Sequence, residues 1–246
     1  MNDTNPTTPL FDLTFEPENA LYLVPTPIGN IADITLRAMR VLANVDVVAC
    51  EDTRTSAQLF SKLGIRAKLL TSYHEYNERE KAPYLAGLVA DGYSVAIVSD
   101  AGTPGLSDPG YRAVNEAIDN GIKIIPLPGA NALLPALSAS GMPTNEFIFM
   151  GFPPQKKGRK TFLARVAEQD CTVVTYESTH RIAKYIDEIV EACGPDRRIV
   201  IAREISKIYE EFIRGTAAEV RSIIEQRKEL KGEIVVIISK NEEQDD

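Results

Sequence analysis

The sequence predicts an α/β protein built from two α/β domains, the first on a mostly parallel sheet and the second on a mixed sheet. Apolar strand-like segments alternate with amphipathic helical patterns along most of the chain, as they do in three-layer α/β folds. A Pro-, Gly- and Ala-rich stretch, "PLPGANALLPALSASGMP", interrupts this alternation near the middle. Late in the chain, "YEEFIRG" follows the strand-like "RRIVIARE" after too few residues for a crossover helix, which predicts a hairpin.

In the first domain, five segments have the composition of strands: 21–24, 45–51, 68–73, 93–100 and 122–128. Apolar residues between 34 and 45 recur at helical spacing, and Asp33 is the expected N-cap of this helix. A second helix contains Leu59 and Leu63 and is expected to end at Gly64. A later helix begins near Tyr111 and ends near Gly121.

The second domain repeats the alternation with five further strands: 147–152, 171–177, 197–204, 209–215 and 232–239. Helices are predicted around 159–169, around the apolar positions between 182 and 190, and at 216–228. These patterns divide the chain into a flexible acidic tail (1–19), an N-terminal α/β domain (20–129), a connecting segment (130–144), a C-terminal α/β domain (145–240) and a second acidic tail (241–246).

The composition is that of an ordinary globular protein, with 246 residues, 44% hydrophobic and 25% charged. No apolar run approaches the roughly 20 residues of a membrane span, and the N-terminus lacks the basic start and apolar core of a secretion signal. The widely spaced Cys50, Cys171 and Cys193 are expected to be buried, reduced thiols of a cytoplasmic protein.

The net charge of −8 is concentrated at the two ends of the chain. Residues 1–20 and 241–246 each carry four acidic residues and no Lys or Arg, so the body between them is neutral. A local basic patch that binds RNA is therefore compatible with the overall acidity.

Four loops rich in tight-turn residues follow predicted strands: "PTPIGN" (25–30), "EDTRT" (51–55), "DAGTPGLSDPG" (100–110) and "PGANA" (128–132). Each loop alone is explained by turn chemistry. Together, at the carboxyl edge of one sheet, they indicate a ligand held largely by main chain. The sequence has no G-x-G-x-x-G, G-x-x-x-x-G-K-[ST] or G-x-S-x-G motif, and its two histidines are far apart with no neighbouring Cys, which argues against a zinc site.

Long ordered motifs resemble the ribosomal RNA small subunit methyltransferase I family of the tetrapyrrole methylase superfamily, the class III methyltransferases. They are "LYLVPTPIGNIADITLRA", "EDTRTSAQLF", "SYHEYNE", "SDAGTPGLSDPG", "PGANALLPALSASG", "FIFMGFPP", "YESTHR" and "REISKIYEEFIRG". The resemblance covers roughly residues 21–239. It implies an S-adenosylmethionine-dependent homodimer, with the cofactor between two α/β domains, that methylates the ribose 2′-oxygen of a cytidine in small-subunit (16S) ribosomal RNA.

The resemblance also implies which residues line the cofactor. Ile28 and Asn30 stand where many relatives have a proline and an aspartate, and Asn30 cannot act as an ionised base. Thr103 stands where relatives have an aspartate, and Asp100 is a second possible anchor. The implied cofactor-binding residues are Pro27, Ile28, Gly29, Asn30, Asp100, Ala101, Gly102, Thr103, Leu106, Asn131, Ala132, Tyr176 and Gly215.

Several side chains have both a structural and a functional interpretation. His74 is either a polar residue at a helix start or the base that removes the ribose hydroxyl proton. Glu51, Asp52 and Arg54 either form a helix start or orient the nucleotide. Glu177 and Arg181 fit an ion pair. The segment "QKKGRK" (155–160) is either a solvated loop or a phosphate-binding patch formed by Lys156, Lys157, Arg159 and Lys160.

Two other functions remain open from the sequence. One is a methylase of a tetrapyrrole or other small metabolite, against which the basic loop and "SYHEYNE" favour RNA. The other is a non-catalytic module of the same fold that binds RNA or the ribosome, which would not bind the cofactor.

Overall fold

We describe a computed structural model of the chain, in which residues 13–227 and 230–241 are described. The chain divides into two compact units, Met1–Asn131 and Ala132–Asp246, and the division lies within the predicted connecting segment. The predicted acidic tails, 1–19 and 241–246, lie largely outside the described residues, and 13–19 form neither helix nor strand.

The first unit contains a five-stranded, fully parallel sheet in the order β3-β2-β4-β1-β5. The strands are Leu21–Leu23 (β1), Val47–Cys50 (β2), Leu70–Ser72 (β3), Val95–Val98 (β4) and Ile124–Pro126 (β5). The central strands β2 and β4 are buried at every position. This matches their continuous apolar sequence, which is typical of a parallel strand covered on both faces.

Helices cover both faces of this sheet. They are Leu36–Asn44 (α1), Thr53–Leu63 (α2), Glu78–Ala90 (α3) and Tyr111–Asp119 (α4). One apolar cluster includes residues of α1 and α2, and another includes residues of α3 and α4, so the unit has three layers.

Two of the predicted helix ends agree with the structure and one does not. Gly64 ends α2 with φ +67°, and Gly121 follows α4 with φ +65°. The prediction of Asp33 as the N-cap of α1 is wrong. Asp33 belongs to a short 3-10 turn, Ile31–Asp33, whereas Thr35 is the N-cap and its hydroxyl accepts from Ala38 N at 3.0 Å.

The second unit contains a mixed sheet in the order β6-β7-β10-β8-β9. Its strands are Phe147–Phe149 (β6), Thr172–Ser178 (β7), Arg198–Arg203 (β8), Glu211–Thr216 (β9) and Glu233–Ile238 (β10). Only β6 and β7 pair in parallel, and β8 and β9 form the predicted antiparallel hairpin.

The described residues of the second unit form four helices: Leu133–Ser138 (α5), Arg159–Ala167 (α6), Ile182–Cys193 (α7) and Ala217–Glu225 (α8). The core is formed by apolar residues of the sheet together with α6, α7 and α8. Thr216 and Glu219 form a capping box at the start of α8. Of the three free cysteines, only Cys50 is fully buried, and Cys171 and Cys193 are half-buried.

Candidate functional site

The candidate site of the first unit lies where its five parallel strands end. Because the strands are parallel and adjacent, the segments that follow them meet along one edge of the sheet. In sheet order, these segments are 73–77 after β3, 51–52 after β2, 99–110 after β4, 24–30 after β1 and 127–131 after β5. All four loops singled out in the sequence begin within these segments.

Main-chain hydrogen bonds join the loops after β1 and β4. Thr26 and Gly102 form an isolated antiparallel bridge, in which each N–H donates to the other's carbonyl oxygen at 2.9 Å. The buried Thr26 hydroxyl donates to the carbonyl of Ser99 at 3.0 Å, and the Ser99 hydroxyl donates to the carbonyl of Gly102 at 3.2 Å. The two loops therefore behave as one structural element.

The loop after β5 is attached to the same element. Thr103 donates its hydroxyl to the carbonyl of Ala130 at 3.0 Å. Gly129 lies against Pro25, since a Cβ at Gly129 would come within 2.6 Å of the proline ring. Three loops are thus linked, and at Gly129 the approach is close enough to exclude a side chain.

Gly102 lies at the centre of this arrangement and requires a glycine backbone. Its φ is +84°, a conformation that L side chains rarely adopt. A Cβ at Gly102 would lie 3.5 Å from Ile28 Cγ2 and 3.9 Å from the carbonyl oxygen of Ala130. Gly102 and Ile28 are both buried, so a side chain at Gly102 would have to fit among these packed loops, at the position where the resemblance places the cofactor.

The other implied residues of the first unit lie on these same loops. Ala101 and Gly29 are exposed, whereas Pro27, Leu106 and Asn131 are half-buried. The Asn30 side chain caps the 3-10 turn by accepting from Ala32 N at 3.0 Å. Local capping therefore accounts for Asn30 without a ligand.

Acidic groups at the ends of β2 and β4 are joined by hydrogen bonds. Asp100 N donates to Glu51 Oε1 at 3.3 Å, and Asp52 N donates to Asp100 Oδ1 at 3.2 Å. Burial, reinforced by the nearby charge of Asp100, raises the pKa of Glu51, while the charge of His74 acts in the opposite direction. These interactions bring Glu51, Asp100 and His74 into one electrostatic neighbourhood.

His74 lies in the segment after β3. Its N–H donates to Asn77 Oδ1 at 2.8 Å, which fixes the backbone at the entrance to α3. Its ring nitrogen Nδ1 is buried and has no hydrogen-bond partner among the described residues. A buried ring nitrogen without a partner is costly, so this imidazole has an unused hydrogen-bonding position at the candidate site.

Asp52 and Arg54 fit the structural interpretation of "EDTRT". Asp52 is the N-cap of α2, and its carboxylate accepts from Arg54 N at 2.8 Å and from the Arg54 guanidinium at 2.7 Å. The hydrogen bonds from the Arg54 side chain and backbone lower the pKa of Asp52 to about 2. The guanidinium of Arg54 is nonetheless 86% exposed and remains accessible from solvent.

In the second unit, the implied cofactor residues are dispersed. Tyr176, on β7, contacts Phe149 and Phe152 edge to face, with ring centroids 4.9 and 5.4 Å apart. Gly215 lies on β9, separated from β7 by β10 and β8, and a Cβ there would come within 2.7 Å of the Glu219 carboxylate. Ala132 directly precedes α5. The second unit therefore does not bring Tyr176 and Gly215 together.

The expectation that Arg159 binds RNA is corrected by its surroundings. Lys156, Lys157 and Lys160 are exposed, but the Arg159 side chain is only 8% exposed. Its Nε donates to Glu188 at 2.8 Å and its Nη1 donates to the carbonyl of Pro154 at 2.9 Å. Glu177 lies 3.8 Å away. Because both ends of the guanidinium are occupied, Arg159 holds the basic segment to α7 and leaves three lysines available to a ligand.

Glu177 also has a structural partner, as the ion-pair interpretation predicts. Its carboxylate is fully buried and lies 2.7 Å from Arg181. Glu177 Oε2 and Ser178 Oγ are nevertheless buried without a hydrogen-bond partner in the described part of the chain.

Sequence reasoning missed the two small hydroxyl residues that connect the loops, Thr26 and Ser99. Ser99 directly follows β4, and Thr26 is the third residue after β1, so their positions at the carboxyl ends of these strands are the signal that could have identified them. Within residues 13–227 and 230–241, no cluster of three or more potential metal ligands occurs, and no helix has the length and apolar character of a membrane span.

Comparisons with known proteins match this geometry. The model of the Tetrapyrrole (Corrin/Porphyrin) Methylases family matches residues 20–221. The chain is 49% identical over 222 residues to the "Ribosomal RNA small subunit methyltransferase I" of Mesorhizobium japonicum, covering 90% of this chain and 75% of that protein. It is 42% identical over 231 residues to the protein of the same name from Escherichia coli O157:H7, covering 93% and 80%.

Similar solved structures share the fold at low identity. They include the methyltransferase CobJ, with a TM-score of 0.66, 19% identity, and coverage of 90% of this chain and 94% of that chain. A uroporphyrin-III C-methyltransferase from Thermus thermophilus, complexed with S-adenosylhomocysteine, has a TM-score of 0.59, 20% identity and coverage of 89% and 97%. The chain therefore belongs to the tetrapyrrole methylase family and, within it, to the ribosomal RNA small subunit methyltransferase I group.

Proposed function

We propose that this protein is an S-adenosylmethionine-dependent methyltransferase that acts on the ribose 2′-oxygen of a cytidine in small-subunit (16S) ribosomal RNA. The observation that carries the proposal is the 42–49% identity, over nearly the whole chain, to proteins named for methyl transfer to this RNA. The linked loops of the first unit support it, because they form a surface suited to a ligand held by main chain.

The residues present fit such a cofactor. Gly102, with its positive φ, allows the tight turn that packs its loop against Ile28 and Ala130, and exposed backbone lies beside it at Ala101 and Gly29. We propose that the cofactor contacts the loops after β1, β4 and β5 through Pro27, Ile28, Gly29, Asn30, Asp100, Ala101, Gly102, Thr103, Leu106 and Asn131. Ala132, Tyr176 and Gly215, which the resemblance also implies, belong to the second unit and stay predictions.

S-adenosylmethionine, when bound, supplies a methyl group activated on a positively charged sulfur. The protein then has to hold the ribose hydroxyl in line with that carbon and remove its proton, and alignment alone can contribute several kcal/mol. We propose His74 as the base, since a neutral imidazole accepts a proton readily near neutral pH. Its ring lies in the electrostatic neighbourhood of Glu51, at the same edge of the sheet as the proposed cofactor loops.

RNA phosphates are proposed to contact the exposed Lys156, Lys157 and Lys160, with Arg54 as a further cation at the edge of the first sheet. Arg159 is omitted because its guanidinium is occupied by Glu188 and Pro154. We further propose that the protein works in the cytoplasm, where its ribosomal substrate is found.

We also propose a homodimer, since a two-fold pair is the commonest soluble assembly and the resemblance implies one. Multi-angle light scattering at micromolar concentration is expected to give about twice the 27.1 kDa chain mass. A monomer mass across a hundredfold concentration range would contradict the dimer and leave the proposed reaction untouched.

The reaction is tested with purified small subunits from cells that lack this gene and methyl-labelled S-adenosylmethionine. We expect one label per subunit, located on a cytidine ribose after nuclease digestion and nucleoside mapping. Label on a base, or transfer only to a tetrapyrrole, would show that the assigned reaction is wrong. Calorimetry that detects no binding of S-adenosylmethionine or S-adenosylhomocysteine would instead support a non-catalytic RNA-binding module.

A further inference from the structure

Two tyrosines on the first unit are far more exposed than aromatic residues usually are. Tyr76 is 93% exposed and Tyr111 is 75% exposed. Burial of a tyrosine ring is favourable, so leaving two rings in solvent forgoes stabilisation that the fold could use. Exposed aromatic rings at the rim of a candidate site are available to contact a ligand, because each has an apolar face and a polar end.

Both tyrosines lie at the carboxyl edge of the sheet, beside the candidate site. Tyr76 lies in the segment between β3 and α3, and its ring meets that of His74 edge to face with centroids 6.1 Å apart. Tyr111 is the first residue of α4, directly after the loop that contains Gly102. The two rings therefore flank the same region that holds the proposed base and cofactor loop.

The backbones that carry the two rings are fixed to each other. Glu78, two residues after Tyr76, accepts from Arg112 at 2.8 Å. Ala113 N donates to the Tyr73 hydroxyl, which is part of the buried core, at 3.2 Å. These bonds join the starts of α3 and α4, so the exposed tyrosines are presented by a rigid support, which lowers the entropic cost of binding to them.

The local charge favours bases over phosphates as the bound group. Around Tyr76 the sequence "HEYNERE" carries three glutamates and one arginine, so this rim does not attract a phosphate backbone. Aromatic faces, in contrast, stack on unpaired nucleobases whatever the base, and sequence-specific RNA recognition commonly uses bases splayed from single-stranded loops.

From this geometry we propose that Tyr76 and Tyr111 are substrate-positioning residues that stack on unpaired bases next to the methylated nucleotide. This inference rests on the proposed function and adds to it a substrate requirement. The RNA must present at least two unstacked bases at the methylation site, while its phosphates contact the exposed lysines and Arg54 proposed above.

The test compares Tyr76→Leu, Tyr111→Leu and the double variant with the matching phenylalanine variants. Tyr93→Leu is the control, because Tyr93 is 48% exposed and precedes β4 at the opposite end of the strand. Affinity for a single-stranded ribosomal RNA fragment is measured by fluorescence anisotropy, S-adenosylhomocysteine binding by calorimetry, and methyl transfer to small subunits by KM and kcat.

We expect each leucine variant to weaken RNA binding and raise KM by roughly five- to a hundredfold, the usual effect of losing one stacked base. In the leucine variants, the cofactor affinity, the midpoint of thermal unfolding and the salt dependence of RNA binding should be unchanged. The phenylalanine variants should bind RNA and transfer methyl groups like wild type. Should Tyr111→Leu fail to fold, Tyr76→Leu, at a nearly fully exposed position, carries the test alone.

Two outcomes would overturn the stacking proposal. One is wild-type RNA affinity in the leucine double variant. The other is an equal loss in the phenylalanine and leucine variants, which would show that the hydroxyl groups matter and the rings do not. In either case, wild-type protein that methylates the cytidine ribose would leave the proposed function standing, whereas an inactive wild type would remove both.

Discussion

Among the single residues of the first unit, His74 has an unusual hydrogen-bonding environment. The neighbouring polar groups Asn77, Glu51 and Asp100 all have hydrogen-bond partners, but Nδ1 of His74 is buried with none among the described residues. Because such an atom costs stability, a role in binding or proton transfer would explain why it is retained.

Replacing His74 with alanine is therefore expected to lower kcat for methyl transfer by about a hundred- to ten-thousandfold, the usual effect of losing a general base. Affinities for RNA fragments and S-adenosylhomocysteine should change little, because the loss is confined to the transition state. His180→Ala is the matched control, since His180 is the other histidine of the sequence and is exposed on the second unit. Full activity of His74→Ala would show that another group is the base.

Gly102 is important for its backbone rather than a side chain. A valine there would have to adopt φ +84° and would occupy the space beside Ile28. We expect Gly102→Val to weaken S-adenosylhomocysteine binding in calorimetry by at least tenfold. The control is Gly105→Val in the same loop, where φ is +81° and a Cβ would meet nothing within 4 Å. It shares the backbone strain, so equal losses of affinity would show that strain alone is responsible.

At the level of helices and strands, the ion pairs around Arg159 hold the second unit together. The side chain begins α6, bonds Glu188 on α7, and lies near Glu177 at the end of β7. Its guanidinium also lies 5.6 Å from the ring of the buried Tyr185. Arg159, one residue of the basic segment, thus connects α6, α7 and the end of β7.

Arg159→Met should lower the free energy of unfolding by about 2–3 kcal/mol in urea denaturation, because it leaves two carboxylates short of a partner. The value lies below the range for a fully buried pair, since Glu177 keeps Arg181, and Glu188 is 17% exposed and has Lys184 nearby. Lys160→Met, the adjacent exposed position, should change stability by less than about 0.5 kcal/mol. Equal stability of the two variants would argue against a structural role for Arg159.

Much of this architecture is predictable from the periodicity of apolar residues and from the residues that end helices and form turns. Continuous apolar runs gave the buried parallel strands, and the short connection before "YEEFIRG" gave the antiparallel hairpin. The helix α5 was assigned to a connecting segment, since Pro135 and the small residues around it resemble a linker. Asp33 and Thr35 are both good N-caps two positions apart, and sequence alone does not choose between them.

The positions of the loops that form the candidate site were predictable from the sequence. Which of its charged side chains are buried was not. Glycine- and proline-rich loops after parallel strands must meet at one sheet edge, whatever their side chains. Whether a cation is free or paired depends instead on residues distant in sequence, as with Arg159 and Glu188, which are 29 positions apart. The composition of the segment 155–160 cannot show such pairing. The sequence therefore predicts four equivalent cations, whereas the structure exposes three of them.

For the molecule as a whole, charge is distributed so that net acidity and RNA binding are compatible. The eight acidic residues of the two terminal segments equal the whole net charge, and the body between them is neutral. An RNA backbone would therefore respond to local groups, and Lys156, Lys157 and Lys160 form the exposed cluster within six residues.

Changing these three lysines together to glutamine should weaken binding to every RNA fragment by a similar factor. The slope of log affinity against log salt should become shallower by up to about 2, since each single-strand phosphate contact contributes roughly 0.7. Cofactor affinity should stay the same, because none of the three lysines is among the proposed cofactor-binding residues. The control, Lys62→Gln with Lys68→Gln and Lys123→Gln, removes the same formal charge from the first unit. If both triple variants lose the same salt dependence, net charge and not the basic segment governs RNA binding. If only the first variant loses it, the basic segment binds the RNA phosphates.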